Sequence, residues 1–370
     1  MNLLAAAAGV ALMAVLLWDA FETVLLPRRV TGSLRPARLV HAALWGAWLM
    51  VARRIEARRR RENVLSPFAM LTMLALFGVW AGGLIVAFAL LHWSLGSQLA
   101  HGGGMRSGFR TDLYMSGTTF FTLGLGDVSP ASFMARLLTV IEAGTGFGFL
   151  AMVLAYLPVL YQSFSRREAR IVMLDEWAGS PPTPAVLLMR AAESGEPAAV
   201  TGLLRDWEQA AAELLESHLS YSILAYFRSQ HDNQSWLASI VTVLDTCTLV
   251  IAGIDGVPTL QARLTFAMTR HAVVDLCQVL RCRPQTETAD RMPPDDLLRL
   301  RQLLAKSGLR LHEGTFVDHR ISELRAMYEP YAFALSEHLL MPVPAWLPSA
   351  KARSNWETTA WARTGREQAH

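Results

Sequence analysis

Lysine is nearly missing from this chain. Lys306 and Lys351 are the two lysines among 34 basic residues, and the rest are arginine. Charge of either sign is scarce: 18% of the 370 residues are charged against 52% hydrophobic, and the mean hydropathy is +0.27. That balance excludes an ordinary soluble protein of this length and points to a membrane part. The net charge of +3 is too small to indicate a partner for the chain as a whole, but the arginines are clustered. The three cysteines, Cys247, Cys277 and Cys282, fit neither a disulfide framework nor a metal-ligand spacing. Cys277 and Cys282 lie five apart on an expected helix, which is not C-x-x-C, so buried, reduced thiols are expected.

Three long apolar runs are present. The first, residues 3–26, has no positive n-region and is too long for a signal peptide, so it reads as a span across a hydrocarbon core of about 30 Å. Asp19 and Glu22 sit near its end, where an acid snorkels or faces protein. A shorter apolar piece, residues 39–51, carries Trp45 and Trp48 and has arginines on both flanks. It reads as an in-plane amphipathic helix with its tryptophans at headgroup level. Arg53, Arg54, Arg58, Arg59, Arg60 and Arg61 would then meet anionic inner-leaflet lipid rather than nucleic acid. The second span covers 68–93 and the last 133–164, closed by S-R-R-E-A-R at 165–170. By the positive-inside rule both arginine-rich ends are cytoplasmic, which puts 94–132 and the N-terminus outside. The expected location is the cell (inner) membrane.

Between the outward and returning spans lies T-D-L-Y-M-S-G-T-T-F-F, residues 111–121, too short to cross a bilayer and opened by Thr-Asp as a helix is. T-L-G-L-G-D follows, residues 122–127. Gly at alternate positions suits neither a strand nor a helix. A short helix that enters the membrane and returns as extended backbone must line a water-filled path or be buried in protein. Glycines let such a backbone aim successive carbonyls one way. A dinucleotide fingerprint does not fit: the third glycine is missing, Pro130 interrupts, and no strand precedes.

The block of span, loop, short helix, T-L-G-L-G-D and span over residues 68–164 resembles the pore module of the tetrameric potassium-channel superfamily, similar to two-pore-domain-type pore loops. The resemblance implies a homotetramer with one pore loop per chain, and a filter of Thr122, Leu123, Gly124, Leu125 and Gly126 whose carbonyls replace an ion's hydration shell. Potassium would bind at Thr122, Leu123, Gly124 and Leu125, with Asp127 at the outer mouth. The family's usual filter aromatic is here Leu125, and its aromatic-cuff positions align with Tyr114 and Met115. Tyr114 and Thr118 would brace the filter from the pore helix. G-T-G-F-G at 144–148 either packs helices closely or, by resemblance, bends the pore-lining helix at Gly146, with Gly144 beside it. Glu142, one turn earlier, either raises cation density below the filter or braces the pore helix. Arg136 is a candidate partner for Asp127. No span carries arginines every third residue, so voltage sensing is not expected.

From about Ser165 the pattern turns amphipathic, and S-P-P-T-P at 180–184 reads as a linker. Helices are expected near 184–194, 197–230, 233–254, 258–282, 295–307 and 315–340. Residues 236–254 are nearly long enough to span but read as a buried core helix. The polar stretch 226–236 is a helix connection or a ligand site. The scattered histidines suggest no metal site, and no catalytic cluster or cofactor motif is evident, so an enzyme is not expected. The isolated Trp346, Trp356 and Trp361 suggest that the tail docks onto a surface.

The expected fold is thus an all-α membrane protein with three transmembrane helices, a re-entrant pore helix and one in-plane helix, followed by an all-α cytoplasmic domain. The expected divisions are 1–64, 65–166, 167–341 and 342–370. The expected function is a cation channel, most simply potassium-selective, gated by the cytoplasmic half. The alternatives are a non-selective monovalent cation channel and a non-conducting membrane sensor or scaffold.

Overall fold

The computed structural model describes residues 2–24, 26, 35–97, 99–101, 108–196, 198–231 and 233–349. The arginines at 28–29, residues 98 and 102–107 between the second span and the short helix, and Trp356 and Trp361 lie outside the described residues. The chain divides into two compact units, Met1–Gln162 and Ser163–His370.

The first unit holds α1 (Leu3–Val24), α2 (Pro36–Ala52), α3 (Arg58–Leu65), α4 (Phe68–Ser94), β1 (Leu99–His101), α5 (Phe109–Phe120), β2 (Val128–Pro130) and the first part of α6 (Phe133–Ala178). By length and apolarity, α1, α4 and α6 qualify as membrane spans, as does the helix Trp236–Gly253 of the second unit. Small residues let α1 lie close on α4: a Cβ on Gly9 would stand 2.8 Å from the Ala87 carbonyl oxygen, and one on Gly83 2.5 Å from Leu16 Cδ1. Asp19 is buried and holds three elements at once. It pairs with Arg35 at 3.1 Å, accepts from the Ala37 backbone N–H at 2.8 Å at the start of α2, and accepts from Trp80 Nε1 of α4 at 2.9 Å. Arg35 also reaches Glu22 at 3.1 Å and Thr23 Oγ1 at 2.8 Å.

The tryptophans of α2 pack on protein. Trp45 is buried with its ring 4.6 Å from that of Phe68, and Trp48 Nε1 donates to the Val64 carbonyl at 2.7 Å. Trp45 fastens α2 to the start of α4, and Trp48 fastens it to the end of α3. The arginine run is also not part of one helix with 39–51, because α2 stops at Ala52 and α3 starts at Arg58. A short antiparallel pair, Leu99–His101 with Val128–Pro130, joins the two arms of the loop region and was not foreseen in an all-α reading. Leu99 and Val128 close over Met115 of α5.

The second unit holds the rest of α6, then α7 (Pro184–Glu193), α8 (Ala199–Ser220), a 3-10 turn (Ser222–Tyr226), α9 (Trp236–Gly253), α10 (Thr259–Val279), α11 (Pro294–Lys306), α12 (Thr315–Ala326) and α13 (Glu329–Leu339). Two expected helices are broken. The stretch 197–230 stops at Ser220, and 315–340 divides at Met327–Tyr328, where Tyr328 turns inward to donate to buried Asp245. The apolar helix α9 has every residue from Trp236 to Val250 buried, against α7, α8, α10, α12 and α13 of its own unit. It has no face left for lipid.

The Pro-rich stretch is not a loose linker. Thr183 caps α7 by accepting from the Val186 N–H, Pro184 takes the first helical position, and both are buried. The connection 226–236 is likewise occupied by its own unit. Arg167 donates to the carbonyls of Leu224 at 2.8 Å and Phe227 at 3.0 Å, Glu168 accepts from Ser229 Oγ at 3.2 Å, and Gln234 Nε2 donates to Asp175 at 2.8 Å. Trp346 docks in the same unit, its ring between the Arg291 and Arg325 guanidinium carbons at 5.5 and 5.7 Å. Arg291 is in turn paired with buried Asp245 at 2.7 Å.

Two outcomes follow. Asp19→Ala leaves the Ala37 N–H and Trp80 Nε1 without an acceptor and Arg35 with Glu22 alone as its ion-pair partner, and should cost about 2–5 kcal/mol, read as a large fall in melting temperature in detergent, whereas Glu22→Ala should cost far less. His218 is neutral in the fold: burial, with the Arg167 guanidinium beside it, pushes it down to about 3. Unfolded, it binds a proton near 6.5. Stability is therefore complete above that value and declines as pH falls toward 3. His218→Gln should flatten that acid decline in a pH series of unfolding measurements.

Candidate functional site

The site begins where α5 ends. A helix stops cleanly when the residue after its cap turns left-handed and the last carbonyls find N–H groups beyond it. Here Phe121 is the cap and Thr122 the left-handed residue, at φ +57°. The Thr122 N–H donates to the Thr119 carbonyl at 2.9 Å, and the Leu123 N–H to the Thr118 carbonyl at 2.7 Å. A β-branched residue at positive φ is strained, by about 1–2 kcal/mol, and such strain persists where the surroundings impose it.

The left-handed conformation then recurs at every second residue: Gly124 at φ +57° and Gly126 at φ +77°. Nothing lies within 4 Å of a Cβ built on either glycine, so within the chain it is the dihedral and not space that calls for glycine. Alternating hand along consecutive residues gathers N–H groups on one side of a ribbon and carbonyls on the other. Among the described residues, no group donates a hydrogen bond to a carbonyl of Thr122–Gly126. The ribbon is exposed, with Leu123 and Leu125 each 61% accessible.

Its far end is tied down. Asp127 accepts from the Tyr114 hydroxyl of α5 at 2.8 Å and from the Val128 N–H at 3.0 Å. The suggested Arg136–Asp127 pair does not form within the chain, because Arg136 Nε instead donates to the Pro130 carbonyl at 3.3 Å. Thr118 Oγ1 turns back on the Met115 carbonyl at 2.9 Å, so Thr118 meets the ribbon through its backbone.

Residues 74–162 match the family model described as Ion channel. No curated protein and no solved structure matches the chain. The match runs from within α4 through α5 and the ribbon to Gln162 in α6, and supports an ion-channel pore module there.

Within this ion-channel segment, α6 presses on α5 from behind. A Cβ on Gly146 would stand 2.0 Å from the Phe120 carbonyl oxygen and 2.8 Å from its carbon, so this glycine is required for close approach. Gly144 and Gly148 meet nothing within 4 Å. Glu142 is wholly buried on the same helix, its Oε2 3.4 Å from Nε2 of His92 on α4, with the Ser116 hydroxyl of α5 adjoining the same carboxylate. His92 and Ser116 are buried too, so three helices meet at one polar point inside a single chain. Asp112 of α5 accepts from Ser97 Oγ at 2.6 Å. Neither carboxylate oxygen of Glu142, nor Ser116 Oγ, is within a hydrogen bond of a described group, so both readings of Glu142 stay open. His92, Asp112 and Ser97 were not singled out from sequence; a lone His in an apolar run opposite a lone Glu in another was the available signal.

Four histidines of the second unit outside the buried His218 have protein partners. His312 lies 2.7 Å from Asp255, His319 3.3 Å from Glu323, His271 3.5 Å from Asp275, and His338 2.9 Å from the Tyr226 hydroxyl. Among the described residues, no three His, Cys, Asp or Glu side chains are placed to hold a metal ion.

Gly146→Ala forces two backbones apart and should cost about 1–3 kcal/mol, with Phe120 and the ribbon displaced. Gly144→Ala should leave detergent melting nearly unchanged. Equal melting temperatures for the two would contradict the packing role.

Proposed function

We propose that this chain forms a cation channel, most simply potassium-selective, in which Thr122–Gly126 from four copies encircle the conducting path. The observation that carries the reading is the alternating left-handed backbone at Thr122, Gly124 and Gly126, with carbonyls that no described group in the chain satisfies. Undonated carbonyls in a membrane need a partner, and a ring of them can replace the water around a cation. One chain supplies one ribbon, so the ring needs several. Val140, Phe147, Leu150 and Leu154 form an exposed apolar stripe on α6, available to neighbouring copies.

In this reading Thr122 contributes its hydroxyl at the inner end and Asp127 its carboxylate at the outer mouth. Tyr114 holds the mouth through Asp127, and Glu142 with His92 holds α6 to α4. The exposed Arg53, Arg54, Arg58, Arg59 and Arg60, with half-buried Arg61, meet anionic lipid. The second unit acts on the pore through α6, whose helix runs without a break from Phe133 to Ala178. A non-selective cation channel is the second reading. Leu125 favours it, since an aliphatic side chain that is 61% exposed has neither ring nor hydroxyl to stiffen the ribbon.

Purified protein in a planar bilayer, with potassium on one side and sodium on the other, separates these readings. A reversal potential at the potassium equilibrium value is expected. Current reversing near zero would establish the non-selective form, and absence of current both from the full chain and after removal of the residues beyond about 170 would overturn the channel. Gly124→Asp puts a side chain where φ is +57° and a charge in the ring, and should abolish flux while the protein still assembles.

A further inference from the structure

The end of α10 repeats the helix stop seen at the end of α5, with a different payload. Leu280 is the cap and Arg281 is left-handed at φ +56°. The Arg281 N–H donates to the Gln278 carbonyl at 3.0 Å, and the Cys282 N–H to the Cys277 carbonyl at 2.8 Å. This pair of bonds brings the side chain of the second residue beyond the cap against that of the third-from-last helical residue. That contact is usually apolar; here it is Cys277 with Cys282. The Cys277 thiol donates to the Cys282 carbonyl at 3.3 Å, and the Cys282 thiol to the Leu280 carbonyl at 3.9 Å. A spacing of five, which excludes C-x-x-C chemistry on a straight helix, becomes a side-chain contact once the chain reverses.

Two properties suit such a pair to reversible oxidation. The helix stop sets the two side chains beside each other, so closing a disulfide needs only side-chain rotation. Cys282 is part-exposed and open to a small oxidant, whereas Cys277 is buried and shielded from further reaction. Cys247 is a contrast: burial raises its thiol, and no second cysteine adjoins it among the described residues.

We propose that Cys277 and Cys282 are a dithiol modification site, closed to an intramolecular disulfide by a hydroperoxide and reopened by a thiol reductant. The pair first loses one proton. A Cys282 thiolate attacks the O–O bond of the peroxide, becomes sulfenic acid and releases hydroxide. The hydroxide takes the Cys277 proton as water. The Cys277 thiolate then attacks the Cys282 sulfur, the S–S bond forms, and the sulfenic hydroxyl leaves as hydroxide. The sulfurs give up two electrons and the peroxide accepts them. This proposal does not depend on the channel reading.

The full-length protein in detergent would be treated with hydrogen peroxide near neutral pH, alkylated with iodoacetamide, and cut with trypsin without reductant. Cleavage after Arg281 separates the two cysteines. The bridged form therefore appears as peptides 271–281 and 282–291 joined, two hydrogens lighter than the free pair. The joined species should become the major one after peroxide and vanish with dithiothreitol. Cys282→Ser, a change at a part-exposed position, and Cys277→Ser should each remove it. In Cys277→Ser, Cys282 should proceed to sulfinic acid instead. Recovery of both wild-type cysteines alkylated, or of Cys282 as sulfinic acid with no joined peptide, would overturn the proposal.

Discussion

A backbone carbonyl without a donor is expensive away from water, and the short ribbon after α5 leaves a run of them open. Much of the first unit can be understood as what keeps that ribbon from relaxing into something better bonded. Its start is held by the two N–H bonds that close α5, its end by Tyr114 and the Val128 N–H on Asp127. The strand pair packs on Met115 and fixes the chain beyond Asp127 to the region before α5. Behind, α6 lies so close at Gly146 that the Phe120 carbonyl has no room to move toward it. None of these contacts donates to the ribbon's carbonyls. They hold its ends and its back, and leave the carbonyls free for a ligand.

Buried charge follows a consistent pattern. Several of the buried acids and bases join elements distant in sequence: Asp19 joins α1, α2 and α4, Glu142 joins α6 and α4, Arg167 joins α6 to the 3-10 turn, and Asp245 joins α9 to Arg291 and Tyr328. Replacing such pairs with apolar residues often costs little stability, whereas removing one partner costs a great deal. Their value therefore lies in register. Spans made mostly of Leu, Ala and Val can slide or rotate against one another at small cost, and a single paired acid removes that freedom.

The spans and the short helix were legible in the sequence because length and apolarity decide them: 3–26, 68–93 and 111–121 were read where Leu3–Val24, Phe68–Ser94 and Phe109–Phe120 stand. The glycine alternation at 124 and 126 announced an unusual backbone for the same reason, since glycine reports a dihedral directly. What stayed hidden depended on contacts. Trp45 and Trp48 look the same to composition whether they face headgroups or Phe68 and Val64. The Pro-rich turn before α7 looks like a linker until Thr183 is seen capping. The break at Tyr328 follows from Asp245, 83 residues earlier, and no local pattern carries that information. Pairing of Leu99–His101 with Val128–Pro130 is likewise non-local, and three-residue strands are too short to show an alternation.

Among the described residues, two of the four non-glycine positions at positive φ, Thr122 and Arg281, sit at the same place in the same helix-ending motif. Glycine would be cheaper at either, so each side chain must offset a cost of about 1–2 kcal/mol by some other means. Arg281 is part of a stop that sets two sulfurs together, but its own side chain has no described role in that contact, and any left-handed residue would make it. Thr122 is different. Its left-handed turn is the first of three, and its hydroxyl stands at the opening of a ribbon whose other left-handed positions are glycine. Replacing Thr122 by glycine would relieve the strain and remove the hydroxyl, and replacing it by valine would keep the strain and the shape and remove the hydroxyl alone. If threonine is there for its oxygen, the two changes damage conduction alike; if it is there for stiffness, valine is tolerated and glycine is not.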